Sequence, residues 1–263
     1  MASPTPLLRL RRGVPVLPRG DGLVLVGTDP EHHVVLPDTA SVARLLAQLR
    51  LGLPSATSRQ TPDDPTATVL AALRRAGLVV EVDEQALLSD ARAATRVSVQ
   101  APDPWLPAVQ ECVRLAGLAL ATGQGDVTWV VSAGPPDWEV HDALLAGEDP
   151  VLFTAVHPSR ICLGPFVLPG TTACLRCLAA QSGGVRPPRS ASSEPAGLPE
   201  DLSPLLLRQA LLQAVTDLTA WAEGRQPVAW SATTWLDGTS APVRRVWPPH
   251  PHCGCRWDQS MTG

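Results

Sequence analysis

The sequence of 263 residues contains no lysine, no asparagine and no tyrosine, and only two phenylalanines and two methionines. Without lysine, no step of any chemistry here can use an ammonium group other than the N-terminus, and the remaining fixed positive charge is arginine. The depletion accompanies an abundance of Arg, Ala, Pro and Leu, the signature of a GC-rich genome rather than of a special function. No apolar run approaches the roughly 20 residues needed to cross a bilayer, so no membrane association is expected. The segment Met1–Pro6 has no positive stretch leading into an apolar one, so it is not a signal peptide. A cytoplasmic location follows, and reducing conditions there favour metal ligation or redox roles over structural disulfides for paired cysteines. An excess of basic charge is also lacking: 21 basic against 25 acidic residues give a net charge of −4, which argues against nucleic acid as a partner. The locally basic opening, Arg9, Arg11, Arg12 and Arg19, reads as a solvated edge.

A hydrophobic fraction of 44% permits a substantial core, and the chain length suits a short unit followed by a larger one. Residues 1–88 read as a small α/β module. Leu7–Leu10, Val14–Leu17 and Leu23–Val26 are short β-type runs, with Leu23 and Leu25 facing one side of a sheet and Val24 and Val26 the other. Thr28–Glu31 is a turn signal, and His32–Leu36 returns as a strand. Asp38 or Thr39 can cap a helix whose Val42, Leu45, Leu46 and Leu49 share a face, ending at Gly52 and Pro54. After a polar loop at Ser55–Pro62, Asp63 or Asp64 caps a second helix with Val69, Leu70, Leu73 and Ala76 on its apolar side. Leu78–Val82 closes the unit as a strand. Strands, helices and a terminal strand together predict a winged-helix-like module.

A connecting helix over residues 84–94 leads to a second domain, 95–263. Its strands are Arg96–Val99, Val127–Ser132 and Val151–Val156, with helices over Leu106–Leu120 and Trp138–Ala146 between them. That βαβαβ order predicts a doubly wound parallel sheet covered on both faces. Ser182–Glu200 reads as a crossover loop. Ser203 then caps a long helix with Pro204 in its first turn, and Pro227–Leu236 and Pro242–Trp247 are candidate strands.

The most specific chemistry lies in four cysteines. Cys174-Leu-Arg-Cys177 is a C-x-x-C knuckle and Cys253-Gly-Cys255 a tighter pair, and four thiolates satisfy tetrahedral zinc. The same pairs could instead form disulfides or a redox couple; the reducing compartment favours metal. His250 and His252 are spare donors beside a set that is already complete. Cys112 and Cys162 sit in apolar company and read as inert core residues, and His141 and His157 have no matched partner in sequence.

The run Leu163-Gly-Pro-Phe-Val-Leu-Pro-Gly-Thr-Thr-Ala-Cys-Leu-Arg-Cys177, with His250-Pro-His-Cys-Gly-Cys255, resembles the ThiF-like leader peptide-binding, cyclodehydratase-associated proteins of thiazole/oxazole-modified peptide biosynthesis. The resemblance implies bacteriocin-type modified-peptide biosynthesis and a structural zinc held by Cys174, Cys177, Cys253 and Cys255. It likens residues 1–88 to a PqqD-like recognition element that takes a precursor leader as an added strand, between a strand edge and a helix. Mapped here, the edge is His33, Val34, Val35 and Leu36, and the facing helix, Thr66–Ala76, offers Val69, Leu70, Leu73 and Arg74. The implied partner is a YcaO-type ATP-dependent cyclodehydratase, with a homodimer also open. The fold implied is a winged-helix-like module followed by a degenerate ThiF-like α/β domain.

One departure from that family matters. Adenylating relatives carry a glycine-rich turn after the first strand of this domain, whereas this chain reads Gln100-Ala-Pro-Asp-Pro-Trp105. Two prolines remove amide donors, a carboxylate repels phosphate, and lysine is missing, so no ATP is expected. Two alternatives remain: an adenylyltransferase with residual nucleotide chemistry, and a winged-helix/zinc regulator. The second lacks a basic recognition helix, since only Arg74 and Arg75 lie on the candidate.

Overall fold

A computed structural model describes residues 7–54, 65–136, 138–182, 199 and 202–255. The chain divides into two compact units, Met1–Ser89 and Asp90–Gly263. The first contains β1 (Leu7–Leu10), β2 (Val16–Pro18), β3 (Leu23–Val26), β4 (Val34–Pro37), α1 (Ala40–Leu51), β5 (Leu53–Pro54), α2 (Pro65–Arg75) and β6 (Val79–Glu81). Helix α3 (Val82–Ala94) carries the chain across the boundary. Two three-stranded sheets form, in the orders β2-β3-β4 and β5-β1-β6. Alternation decides the facing of β3: Val24 and Val26 are buried while Leu23 and Leu25 remain half-exposed. Helix α1 buries Val42, Leu45, Leu46 and Leu49, and the Thr39 side chain caps it by accepting from the Val42 N–H.

The return strand starts later than its apolar run suggests. Asp29 Oδ1 accepts the N–H groups of Glu31 and His32, and His33 Nδ1 lies 3.0 Å from Asp29 O, so residues 29–33 are held as a turn. Gly27, at φ +82, makes that turn possible, because a Cβ there would stand 2.6 Å from His32 O. Val82 opens α3 instead of closing the preceding strand. The loop at 55–62 and its capping candidates Asp63 and Asp64 lie outside the described residues.

The second unit contains β7 (Arg96–Gln100), α4 (Leu106–Leu115), β8 (Ala119–Leu120), β9 (Val127–Ala133), α5 (Trp138–Ala146), β10 (Val151–Val156) and β11 (Ile161–Val167). It continues with α6 (Leu175–Gln181), α7 (Pro204–Ala222), β12 (Ala232–Leu236) and β13 (Val243–Val246). Its seven strands run in the order β13-β12-β11-β10-β9-β7-β8. The expected all-parallel sheet is corrected to a mixed one: β8, β7, β9 and β10 are parallel, and β11, β12 and β13 join antiparallel. The unforeseen element is β11, every residue of which is buried. Gly164-Pro165 disguises it as a turn, but the register shift between Leu152 and Thr154 absorbs the pair as a bulge. The helix expected to reach Leu120 stops at Leu115, because Gly117 adopts φ +76 and Ala119–Leu120 pairs with β7. Ser203 stands at the N-cap of α7 without a side-chain capping bond. The core of the predicted crossover loop, 183–198, lies outside the described residues.

Each buried strand feeds two layers. Leu152 of β10 joins Val97, Trp129 and Phe166 against Val109, Cys112 and Val113 of α4 and Leu211 and Leu218 of α7. Its neighbour Phe153 joins Val130, Val151 and Val167 on the opposite face, together with Cys174, Cys177, Trp247 and Cys253. The cysteines are therefore part of a hydrophobic layer.

Candidate metal centre and peptide edge

After β11 the chain turns at residues 168–172, where the Thr172 hydroxyl accepts the Leu168 N–H at 2.7 Å. The Ala173 N–H donates to Ser231 Oγ at 2.9 Å, which fixes the residue before the first knuckle. Cys174 caps α6 and Cys177 follows one turn later, so helical geometry brings both sulfurs to one side. The second pair arrives on the segment after β13. There the Trp247 indole donates to Thr233 Oγ1 at 2.9 Å, and the Arg245 guanidinium lies 3.8 Å over its ring. Gln181 Nε2 ties Cys177 O to Pro248 O, and the Cys253 N–H donates to His250 O at 3.0 Å.

These contacts gather all four sulfurs within 4.8 Å of one another. Cys174 and Cys177 are 3.8 Å apart, Cys174 and Cys253 3.5 Å, and Cys177 and Cys255 3.5 Å. A tetrahedron with Zn–S bonds of about 2.3 Å places its sulfurs about 3.8 Å apart, so the spacing suits zinc. A disulfide needs about 2.05 Å, and all six cysteines are free thiols. The backbone N–H of His250 donates to Cys177 Sγ at 3.2 Å. His250 Nδ1 accepts the His252 N–H, so neither imidazole enters the four-sulfur group.

Electrostatics point the same way. The hydrogen bond from Cys174 holds the Cys177 thiol down to about 4, against the cost of burial. The same bond, reinforced by burial, pushes Cys174 far up, and burial pushes Cys255 up to about 12. By themselves, then, these thiols do not ionise together. A divalent cation compensates four clustered thiolates, which is the chemistry of this donor set.

The edge residues lie elsewhere. Strand β4 pairs only with β3 among the described residues, and α2 packs against β4 and β6. The Asp38 N–H bonds to Gly22 O, and the register then makes 24/36 and 26/34 the hydrogen-bonded pairs. Val34 and Leu36 thus direct their backbone groups into the sheet, while Val35, with His33 in the same phase, directs its own outward. Val35 is 40% exposed. Val69, Leu70 and Leu73 belong to the core of the unit with Leu8, Leu36 and Leu49, so in the chain by itself they face other core residues. Arg74 is exposed.

The turn after β7 offers little to a phosphate. The N–H groups of Trp105 and Leu106 both bond back to Pro102 O, and Pro107 has none. Cys112 and Cys162 are buried and their thiols are raised by burial, Cys162 to about 12. Sequence reasoning missed one polar group. Arg176, inside the knuckle, bonds through both Nε and Nη2 to Asp142 of α5, and Asp142 Oδ1 also lies 3.0 Å from Nδ1 of the buried His141. No spacing rule links residues 141, 142 and 176.

No family model matches the chain, and no curated protein matches it. Solved structures do. A heterocyclase in complex with substrate and cofactor is 17% identical at TM-score 0.65, with 98% of this chain and 40% of that one covered. The heterocyclase TruD is 17% identical at TM-score 0.67, with 95% and 42% covered. The microcin C7 biosynthetic enzyme MccB in complex with N-formylated MccA is 10% identical at TM-score 0.67, with 95% and 99% covered. At these identities the likeness establishes the fold, a mixed α/β architecture similar to that of heterocyclases and MccB. The chain spans about two fifths of the length of the heterocyclases it matches.

Proposed function

We propose that this chain captures the leader of a ribosomal precursor peptide and presents it to a separate YcaO-type, ATP-dependent cyclodehydratase. The observation that carries the reading is the fold. It aligns over nearly the whole chain with two heterocyclases that are more than twice as long, and with MccB, solved in complex with N-formylated MccA.

On this reading the leader adds to β4 as a fourth strand, exchanging hydrogen bonds with the outward N–H and C=O of Val35 and neighbouring positions in the same phase. Val69, Leu70 and Leu73 shape the cleft from beneath, and Arg74 contributes charge at its border. Residues 1–88 act as the recognition module of winged-helix type, and 95–263 as the scaffold. Cys174, Cys177, Cys253 and Cys255 hold a structural zinc that fastens the segment after β13 to α6; the ion supplies cross-linking, not catalysis. Nucleotide plays no part. The competing adenylyltransferase reading draws on the near-complete coverage of MccB, but the self-bonded turn at Pro102–Leu106 counts against it.

The test is binding of a fluorescent leader peptide, encoded beside this gene, to the full chain. Submicromolar binding and leader-dependent heterocycle formation by the partner are expected. A folded protein that binds no such peptide refutes the proposal, and micromolar Mg-ATP binding would favour the enzyme reading.

A further inference from the structure

Two polar atoms are buried without a hydrogen-bond partner side by side on α5: Trp138 Nε1 and His141 Nε2. Their rings are 5.6 Å apart, centroid to centroid, and nearly perpendicular at 88°. The His141 side chain has no exposed surface and its ring lies 6.0 Å from that of Phe153, in the layer that also contains Cys174 and Cys177. A polar atom left unpaired in such surroundings costs about 1–3 kcal/mol, so two adjacent ones call for a common explanation.

The protons can be assigned. Arg176 forks onto Asp142, and that ion pair holds the Asp142 carboxyl at about 2. An ionised carboxylate only accepts hydrogen bonds, so the contact between Asp142 Oδ1 and His141 Nδ1 requires the proton on Nδ1. Nε2 is buried with no acceptor to take a second proton, and burial lowers the pKa of the ring, so the imidazole is neutral and Nε2 is a bare acceptor. Trp138 Nε1 is a donor only. One orphan gives a proton and its neighbour receives one, which is the complement of a water molecule.

We infer that a single water is bound between Trp138 Nε1 and His141 Nε2, completing a hydrogen-bonded chain Trp138–water–His141–Asp142–Arg176 that ends on the cysteine knuckle. One water can bridge two nitrogens up to about 5–6 Å apart. The chain makes His141 a positioning residue. It anchors Asp142, Asp142 orients Arg176, and Arg176 stands between Cys174 and Cys177, with its guanidinium carbon 5.2 Å over the Trp138 ring. The assignment does not depend on the peptide-capture reading.

The test is a high-resolution crystal structure of the full chain together with 15N NMR of its histidines. Expected are one water within about 3.2 Å of both nitrogens, an Nδ1–H tautomer at His141, and a cross-peak between water and the Trp138 indole proton. In Trp138→Phe the water should lose occupancy while the tautomer persists, because Asp142 sets it. In Asp142→Asn the tautomer preference should be lost. A direct Trp138 N–H to His141 Nε2 bond with no water, or a proton found on Nε2 in the unaltered protein, overturns the inference.

Discussion

Replacing Cys255 by serine isolates the contribution of one proposed metal ligand. Cys174, Cys177 and Cys253 are buried in the apolar layer, so truncating any of them would perturb packing as well as coordination. Cys255 is half-exposed, and serine fits its place with little change in volume. Structural zinc in comparable small sites is bound with an apparent free energy on the order of 10–16 kcal/mol. If four thiolates share that roughly equally, losing one costs about 3 kcal/mol, or about a hundredfold in affinity. Cys177 would also lose the sulfur 3.5 Å away that links the last segment to α6. The assay is competition with a chromophoric chelator, with stoichiometry read by native mass spectrometry and stability by thermal melting. The unaltered protein should carry one zinc with four sulfur ligands. Cys255→Ser should release it about a hundredfold more readily and melt at a lower temperature. Cys162→Ser, outside the cluster, should keep its zinc even if packing suffers. Protein purified under reducing conditions without zinc, or a variant with unchanged affinity, would refute the four-cysteine assignment.

A proline scan of β4 separates edge from ladder. Val34→Pro removes an N–H directed at β3 and should cost about 1–3 kcal/mol of stability in urea unfolding. Val35→Pro removes only an outward N–H, so the fold should persist while leader affinity falls about tenfold by fluorescence anisotropy; unchanged binding would move the peptide off this edge. The Asp142 carboxyl, followed by 13C NMR, should titrate near 2. Its folded value is depressed from 3.8, so its stabilising share is present above that pH and lost as pH falls toward 2, and Arg176→Ala should return the midpoint toward the ordinary range. Gly164→Ala places a Cβ 2.3 Å from Ala232 O on a residue at φ +88, and should lower stability by more than about 3 kcal/mol; a neutral result would mean β11 and β12 do not approach so closely.

The likeness to heterocyclases and MccB is one of fold. The chemistry proposed here rests on residues of this chain. Among the described residues no helix is long and apolar enough to cross a membrane.

Local features were readable from the residues alone. The period of Val42, Leu45, Leu46 and Leu49 marked α1, with Asp38 or Thr39 as its cap, of which the structure selects Thr39, and the continuous apolar runs at Val127 and Val151 marked two buried strands. The two cysteine pairs were visible as ligand spacings, because a C-x-x-C on a helix sets two sulfurs one turn apart whatever surrounds it. Three matters were decided only in three dimensions. Gly164-Pro165 reads locally as a break, yet pairing with β10 and β12 on either side carries β11 through it as a bulge. The outward phase of Val35 depends on one bond, Asp38 N–H to Gly22 O, which fixes the register of β3 and β4. The bond between Arg176 and Asp142 joins residues 34 positions apart, because α5 and α6 cover the same face of the sheet. Sequence reports what a residue does to its own backbone and near neighbours; which distant group comes to meet it is settled by the packing of the sheet's two faces.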